Sequence, residues 1–488
     1  MDIAALSLKH LEAVVAIDSQ SDEASTTIPT TQGQRVLAAY VASFYEALGA
    51  TVEQDEHANV IATFPGRHSR AAPVALMVHL DTARGTQAVP SLHRTEWDGG
   101  PLRFPKNPTL QVDIDTYPSA AEFQNQTLIH GNGDFPFGLD DKLGLTHCMT
   151  LATLLQRDPS IAHPPLLLIG RPDEEVGRME AVEGLALVLA ERGVRFGYTV
   201  DGILPFEVNV ENFNAAGASV FFPSREVPAA PSWRVRLGGV NTHGATACAE
   251  GFRSATRFAA ELVQAGVRVV GFQSDALRDC DAELLVHGAD PSDAVAAIVS
   301  PHLGRGASFS VQATTDQPGE GAALDLLRWV AAFTASDPGF TLLCEESEGH
   351  DGYSNPYRGR AVEGALQLDL RLRDFSPDGL QARIEHVHAQ AGTLRCEHHH
   401  QYVNMGPRLR DHPELVDLPV RAGLTAGVRV RKQPIRGGTG VDPFLDAGVP
   451  IANLGTGYFA PESEKEFTSL QMMRAHALWL LELVRLLA

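Results

Sequence analysis

The stretch Pro165-Leu166-Leu167-Leu168-Ile169-Gly170-Arg171-Pro172-Asp173-Glu174-Glu175-Val176-Gly177 decides how this chain is read. Its first part is apolar, short and continuous, the pattern of a strand buried on both faces. Its second part sets three carboxylates at the exit of that strand, where they repel one another and lose solvation. Folding alone gives no reason for this, whereas a metal ion or a proton in transit would. A solvated acidic turn is the competing reading of the tripeptide in isolation. Three other segments with the same layout tip the balance.

The first is Pro73 to Val78, an apolar run leading into His79-Leu80-Asp81-Thr82. Residues two apart on a strand share a face, so Asp81 is placed to hold the second ring nitrogen of a metal-binding His79. A lone strand-end histidine would otherwise read as structural. The second is Gly138-Leu139-Asp140-Asp141-Lys142-Leu143-Gly144, opening a helical pattern from Leu143 to Leu155. Acids at a helix start are ordinary capping chemistry, an account weaker for two acids with a lysine beside them. The third is Gly197 to Val200, ending in Asp201-Gly202, which alone would be a turn. Together, one histidine and several carboxylates stand at the ends of successive strands that alternate with helices. In open α/β sheets, sites collect at the carboxyl ends of the strands.

The ordered set His79-x-Asp81, Asp140-Asp141-Lys142, Asp173-Glu174-Glu175 and Asp201 resembles the co-catalytic zinc peptidases and deacylases that include peptidase T, acetylornithine deacetylase and succinyl-diaminopimelate desuccinylase. The peptidase T branch is the most similar. Tyr198-Thr199-Val200-Asp201-Gly202 with Glu211-Asn212-Phe213-Asn214-Ala215-Ala216 carries the likeness, as do Leu372-Arg373-Asp374-Phe375, Gln401-Tyr402-Val403-Asn404-Met405 and Pro434-Ile435-Arg436-Gly437-Gly438-Thr439. It runs along most of the chain, apart from insertions expected near residues 84 to 130 and 268 to 337.

Composition is compatible with this. At 488 residues the chain exceeds one typical core, so two domains are expected. A formal charge of −21 argues against nucleic acid or an anionic membrane surface as partner. There is no apolar stretch of membrane-spanning length and no signal-peptide pattern. Five scattered cysteines (148, 248, 280, 344 and 396) lack zinc-type spacing, which fits a reducing cytoplasm better than a disulfide framework. His398-His399-His400 alternate sides on any strand, so at most two converge, and a solvated strand is the simpler reading.

The pattern gives an α/β fold. Amphipathic helices are expected at Leu8 to Ile17 and Val36 to Leu48, with an extended stretch from Val60 to Phe64. Strands are expected at Ala218 to Phe222, Trp233 to Leu237 and Ala361 to Arg373, and helices at Ser254 to Ala265, Pro377 to Ala391 and Leu470 to Leu487. The block from 217 to 404 reads as an α+β module inserted into a first domain made of 1 to 216 and 405 to 488. The insertion from about 268 to 337 carries its own element signals, at Ala282 to Val286, Ser292 to Val299 and Ser308 to Ala313. The resemblance implies a catalytic domain with a central mixed sheet flanked by helices, and makes the inserted module a lid that also carries the contact of a homodimer.

The resemblance also implies roles. Two divalent ions, zinc or else manganese or cobalt, would share Asp140; His79 and Asp201 would complete one site and Glu175 would serve the other. Glu174 would be the general base that takes the proton of the attacking water and passes it to the leaving amine. Asp81 would orient His79. His243, in Asn241-Thr242-His243-Gly244, matches a lid histidine that stabilises a developing oxyanion, although a proline usually follows it where Gly244 stands here. Arg373 matches an arginine that meets a substrate carboxylate, with a strand-end pair to Asp374 as the plainer alternative. Asn404 and Gly438 fall on substrate-binding positions.

One departure stands out. The family normally supplies the last ligand of the second metal as a histidine four residues before a glutamate, and counting back from Glu466 gives Glu462. No histidine lies between Pro413 and Ala475. With Glu462 bound, a fourth carboxylate would raise the pKa of the bound water and favour Mn²⁺ or a similar harder ion. Lys465 could instead occupy the space as a cation, leaving one metal. The usual Asp-Gly after Gly-Gly-Thr has also become Gly440-Val441. Three readings follow: an aminopeptidase of short peptides, an N-acyl-amino-acid deacylase or other amidohydrolase on the same scaffold, and a non-catalytic relative with a degraded second site. The retained glutamates favour catalysis.

Overall fold

The computed structural model describes residues 2–226, 230–240, 253–274, 281–316, 321–336, 352–435 and 437–488. The chain divides into two compact units. The first comprises Met1–Asn107, Val112–Asn212 and Met405–Ala488, and the second Pro108–Gln111 and Phe213–Asn404.

The first unit is built on a mixed sheet of eight strands, in chain order Thr51–Gln54 (β1), Val60–Phe64 (β2), Val74–His79 (β3), Leu166–Arg171 (β4), Phe196–Gly202 (β5), Glu207–Asn209 (β6), Arg431–Lys432 (β7) and Ile451–Gly455 (β8). Their spatial order is β1-β2-β4-β3-β5-β8-β6-β7. The central strands β4, β3, β5 and β8 run parallel to one another, while β2 pairs antiparallel with β4 and β6 with β8. All six residues of β3 and all six of β4 are buried, as expected of parallel strands covered on both faces. Three helices, Ile3–Val15, Leu139–Arg157 and Leu470–Leu486, pack on one another, and Leu139–Arg157 lies against β3 and β5. Gly144 allows that approach, because a Cβ there would stand 1.8 Å from the Val200 carbonyl oxygen.

Register positions the site. Val74 pairs with Leu166 and His79 with Arg171, while Val74 also pairs with Phe196 and Met77 with Thr199. The carboxyl ends of β3, β4 and β5 are therefore level. The insertion between residues 84 and 130 contributes strands His93–Trp97 and Gln126–His130, which form a small antiparallel sheet with Phe467–Ser469.

The second unit holds two four-stranded antiparallel sheets over a shared apolar core. One contains Tyr353–Val362, Ala365–Asp374, Asn214–Pro223 and Arg395–Tyr402 in that order. The other contains Val269–Gln273, Asp281–Val286, Trp233–Gly238 and Ser308–Ala313. The expected single strand from Ala361 to Arg373 is instead a hairpin, turning at Glu363-Gly364 with Gly364 at φ +71°. The apolar residues on either side of that turn read as one run because the turn is only two residues long. The region from 268 to 337 supplies three strands of the second sheet, so it is an integral layer of this unit. His398, His399 and His400 lie exposed on the strand Arg395–Tyr402. Among the described residues, no helix is long and apolar enough to cross a membrane.

Candidate metal centre

At the end of β3, His79 is fully buried. Its Nδ1 lies 2.9 Å from the carbonyl oxygen of Asp81 and 3.4 Å from that residue's Oδ1, so one ring nitrogen is committed. Its Nε2 lies 2.9 Å from Asp140 Oδ1 and 3.3 Å from Asp201 Oδ1. The Asp81 carboxylate also accepts the backbone N–H of Glu174 at 3.0 Å and of Glu175 at 3.1 Å. Asp81 thereby ties the end of β3 to the tripeptide after β4.

The tripeptide divides into an anchor and two acids that face the centre. Asp173, at φ +54°, is fully buried and accepts from Thr30 N, Thr30 Oγ1 and Gln34 Nε2. One ligand atom each from His79, Glu174 and Asp201 lies within 4.8 Å of the others, and the same holds for His79, Asp140 and Glu175. Glu175 Oε1 is buried without a hydrogen-bond partner among the described residues. Burial pushes up the pKa of Asp201 to about 7 and raises Glu174 and Glu175 as well. For Glu175 the largest neighbouring charge is Glu462, which adds to the rise. Burial would lower the His79 pKa, but Asp201, Asp140 and Asp81 outweigh it and hold that pKa well above the usual value. A cluster of acids that burial drives toward protonation is short of positive charge. A divalent cation would supply that charge, and one imidazole with several carboxylates is a donor set that suits Zn²⁺, Mn²⁺ or Co²⁺. The residues present fit such ions.

Three further groups frame the centre; the sequence pattern marks Asp141, within Asp140-Asp141-Lys142, and does not reveal the roles of the other two. Tyr458 Oη donates to Asp140 Oδ2 at 2.8 Å, fixing the carboxylate whose other oxygen faces His79. Asp141 is buried and accepts from His79 N at 3.2 Å and Gly144 N at 3.1 Å, a cap and a strand tie in one side chain. Arg171 is buried at the end of β4, with Nη2 3.7 Å from Glu174 Oε1 and 4.0 Å from Asp201 Oδ2. Arg171 leaves a signal of its own, as a charged residue closing an apolar run.

The C-terminal loop is held from outside. Glu466 Oε2 accepts from Phe137 N and Gly138 N, each at 3.0 Å, and its Oε1 accepts from Glu462 N at 2.9 Å. Burial lifts the Glu466 pKa to about 8, against the pull of those amides. Glu462, at φ +52°, joins neither of the two close donor triads, although its charge bears on Glu175. Lys465 is fully buried. Gly438 lies two residues before Gly440, in the loop that Arg171 holds.

The remaining candidates belong to the second unit. Arg373 Nη1 donates to the carbonyls of Leu372 at 2.9 Å and Ala216 at 3.3 Å, and the guanidinium stacks over Tyr402. Asp374 bonds Arg383 Nε at 3.0 Å. Asn404 donates its Nδ2 to the Phe375 carbonyl and its backbone N–H to Asn214 Oδ1. His243 lies outside the described residues.

No family model matches the chain. It is 26% identical over 480 residues to peptidase T of Macrococcus caseolyticus, covering 96% of this chain and 94% of that protein. Among solved structures, aminopeptidase PepT of Bacillus cereus superposes with a TM-score of 0.53 at 15% identity, covering 99% of this chain and 98% of that one. A tripeptidase of Staphylococcus aureus superposes with a TM-score of 0.55 at 15% identity and the same coverage. At such identities the superpositions speak for the fold. In sequence along nearly its whole length, and in fold, the chain is peptidase T-like.

Proposed function

We propose that this protein is a metal-dependent hydrolase that releases N-terminal residues from short peptides, tripeptides above all. The observation that carries the reading is the pair of donor triads sharing His79, one through Asp201 and Glu174 and the other through Asp140 and Glu175, at the level ends of β3, β4 and β5. The relatives named above are peptidases, which favours this reading over a deacylase.

His79, Asp140, Glu175 and Asp201 would hold the ions, with Glu462 in the place of the usual histidine. Bound divalent ions would polarise the scissile carbonyl and lower the pKa of an attacking water. Glu174 takes the proton of that water and delivers it to the leaving amine; its backbone N–H, fixed on Asp81, sets where the carboxylate starts. Asp81 also holds the His79 ring so that Nε2 is turned toward Asp140 and Asp201, where it would be free to bind an ion. His243 and Arg373 remain proposed for the oxyanion and the substrate carboxylate, with Asn404 and Gly438 as further substrate contacts. Zinc is the first choice of ion, manganese the second. A cytoplasmic homodimer completes the proposal.

Metal content and hydrolysis, measured together, test it. Tripeptides with a free amine, N-blocked tripeptides and N-acyl amino acids are compared under Zn²⁺, Mn²⁺ and Co²⁺. Cleavage of the free tripeptides at the first bond is expected. Turnover of N-acyl amino acids alone would replace the reading with the deacylase one, and no turnover with any ion would end both.

A further inference from the structure

The cluster at the carboxyl end of β4 contains a cation that the roles above do not use. Arg171 is 1% exposed. Its Nη1 donates to the Gly440 carbonyl and its Nη2 to the Thr439 carbonyl, both at 2.9 Å. The same Nη2 stands 3.7 Å from Glu174 Oε1 and 4.0 Å from Asp201 Oδ2. One planar group therefore reaches a loop on one side and two acids of the centre on the other, a geometry that suits the fixed fork of a guanidinium.

The loop is shaped to receive it. Gly440 has φ +55°, and a Cβ on it would lie 2.1 Å from Arg171 Nη1 and 2.9 Å from its Cζ. Any side chain at 440 would therefore collide with the guanidinium. The aspartate that the resembled family places after Gly-Gly-Thr is thus incompatible with Arg171 in this position. Residues 171 and 440 are distant in sequence but share one volume.

We propose that Arg171 and Gly440 are a matched pair, with Arg171 a positioning residue that fixes the Thr439–Gly440 turn and the Glu174 carboxylate relative to each other. The inference rests on the peptidase reading for Glu174, but the pairing itself does not. Arg171 touches no reacting atom in this scheme. It acts by restricting the side chain that moves the proton, and by holding the loop that carries Gly438.

Two measurements test the pair. In the metal-loaded enzyme, Arg171→Met should lower kcat for a tripeptide roughly 10–100-fold, the range expected when a partner behind a reacting group is removed. KM should change far less than kcat, and Arg171→Lys, which keeps the charge but not the fork, should fall between wild type and Arg171→Met. The second measurement needs no activity: thermal midpoints of wild type, Gly440→Ala, Arg171→Met and the double variant. Gly440→Ala should cost at least twice as many degrees in the wild-type background as in the Arg171→Met background, where the guanidinium is no longer there to collide. Equal costs in the two backgrounds would overturn the pairing. A folded Arg171→Met enzyme with kcat near that of wild type would overturn the positioning role, and Arg171→Lys decides the same point if Arg171→Met does not fold. Should the wild type cleave no peptide, the functional reading fails while the stability cycle still decides the pairing.

Discussion

The strand-end side of the acidic centre and its C-terminal loop are held in place by different means. His79 and Asp201 lie on parallel strands of one sheet, and the tripeptide leaves a third, so their spacing is fixed by ladder hydrogen bonds and by the register of β3, β4 and β5. Asp81 then clamps the amides of Glu174 and Glu175, and Thr30 and Gln34 pin Asp173. The loop from Phe459 to Glu466 lies outside the large sheet. A bridge from Phe459 to Phe467 closes it, and the Glu466 side chain ties it to the start of the Asp140 helix by gathering the amides of Phe137, Gly138 and Glu462. Position is set by a sheet and several clamps on the strand side, and by side-chain gathering on the loop side. Substitutions on the strand side should therefore cost more activity than substitutions on the loop side.

The largest effect should come from Glu174→Gln. It removes the proposed proton acceptor while keeping size and the backbone contact to Asp81. A loss in kcat of roughly 10²–10⁴ is expected, with metal content unchanged. Full activity in this variant would remove Glu174 from its role and leave the strand side without a base.

Asp81→Asn comes next. One carboxylate oxygen serves each of two amides, so the Asn Nδ2 must face an N–H that it cannot accept. Activity or metal affinity should fall roughly 10–100-fold. Metal titration separates the causes: weaker binding points to His79, and intact binding with slow turnover points to Glu174. Activity equal to wild type would mean the sheet alone suffices.

Much of the strand side is legible in the sequence, for a physical reason. Buried parallel strands are short apolar runs, so the Leu166-to-Ile169 and Val74-to-Val78 segments announce themselves, and acids just beyond such runs stand out. What stays hidden depends on partners far away in the chain. Asp173 reads like its neighbours until Thr30 and Gln34 are brought to it by folding. Tyr458 is an ordinary aromatic until its hydroxyl meets Asp140, 318 residues earlier. The hairpin at Glu363-Gly364 escapes a pattern reading because a two-residue turn barely interrupts an apolar run. The loop side is legible only through the resemblance, which would put a histidine at position 462, and nothing local to it reveals that Glu466 sets its backbone.

Glu462 sharpens the comparison from the weaker side. If it serves the ion beside Glu175, Glu462→Ala should weaken binding of a second ion about tenfold, toward the low end of the range for Asp81. Glu462→His should retain two ions and shift preference toward Zn²⁺, because imidazole is the softer donor. Unchanged stoichiometry and affinity in both variants would take Glu462 out of the ligand set and return attention to Lys465.

The smallest effect joins both sides through pH, in protein stripped of metal. Burial raises Asp201 to about 7 on the strand side and Glu466 to about 8 on the loop side, both far above an unfolded carboxyl near 4. Between those limits the folded state binds more protons than the unfolded one, so their contribution to stability is full below about pH 4 and is lost as pH rises through 7 and 8. His10 and His147 work in the opposite direction, because burial lowers each to about 4, and their contribution is lost only as pH falls below the unfolded value near 6.5. From about pH 6.5 to 8 the unfolded histidines shed only the remainder of their protons, a smaller effect of opposite sign, and the acids decide the sign. The metal-free protein should lose on the order of 1–2 kcal/mol across that window, read as a falling thermal midpoint. Zn²⁺ should flatten the part due to Asp201, since a bound cation replaces the proton, and leave the part due to Glu466. A midpoint that rises across the window without metal would mean that neither acid is buried uncompensated. A slope that zinc abolishes entirely would place Glu466 under the ions' influence and make the loop as tightly bound to the centre as the strands.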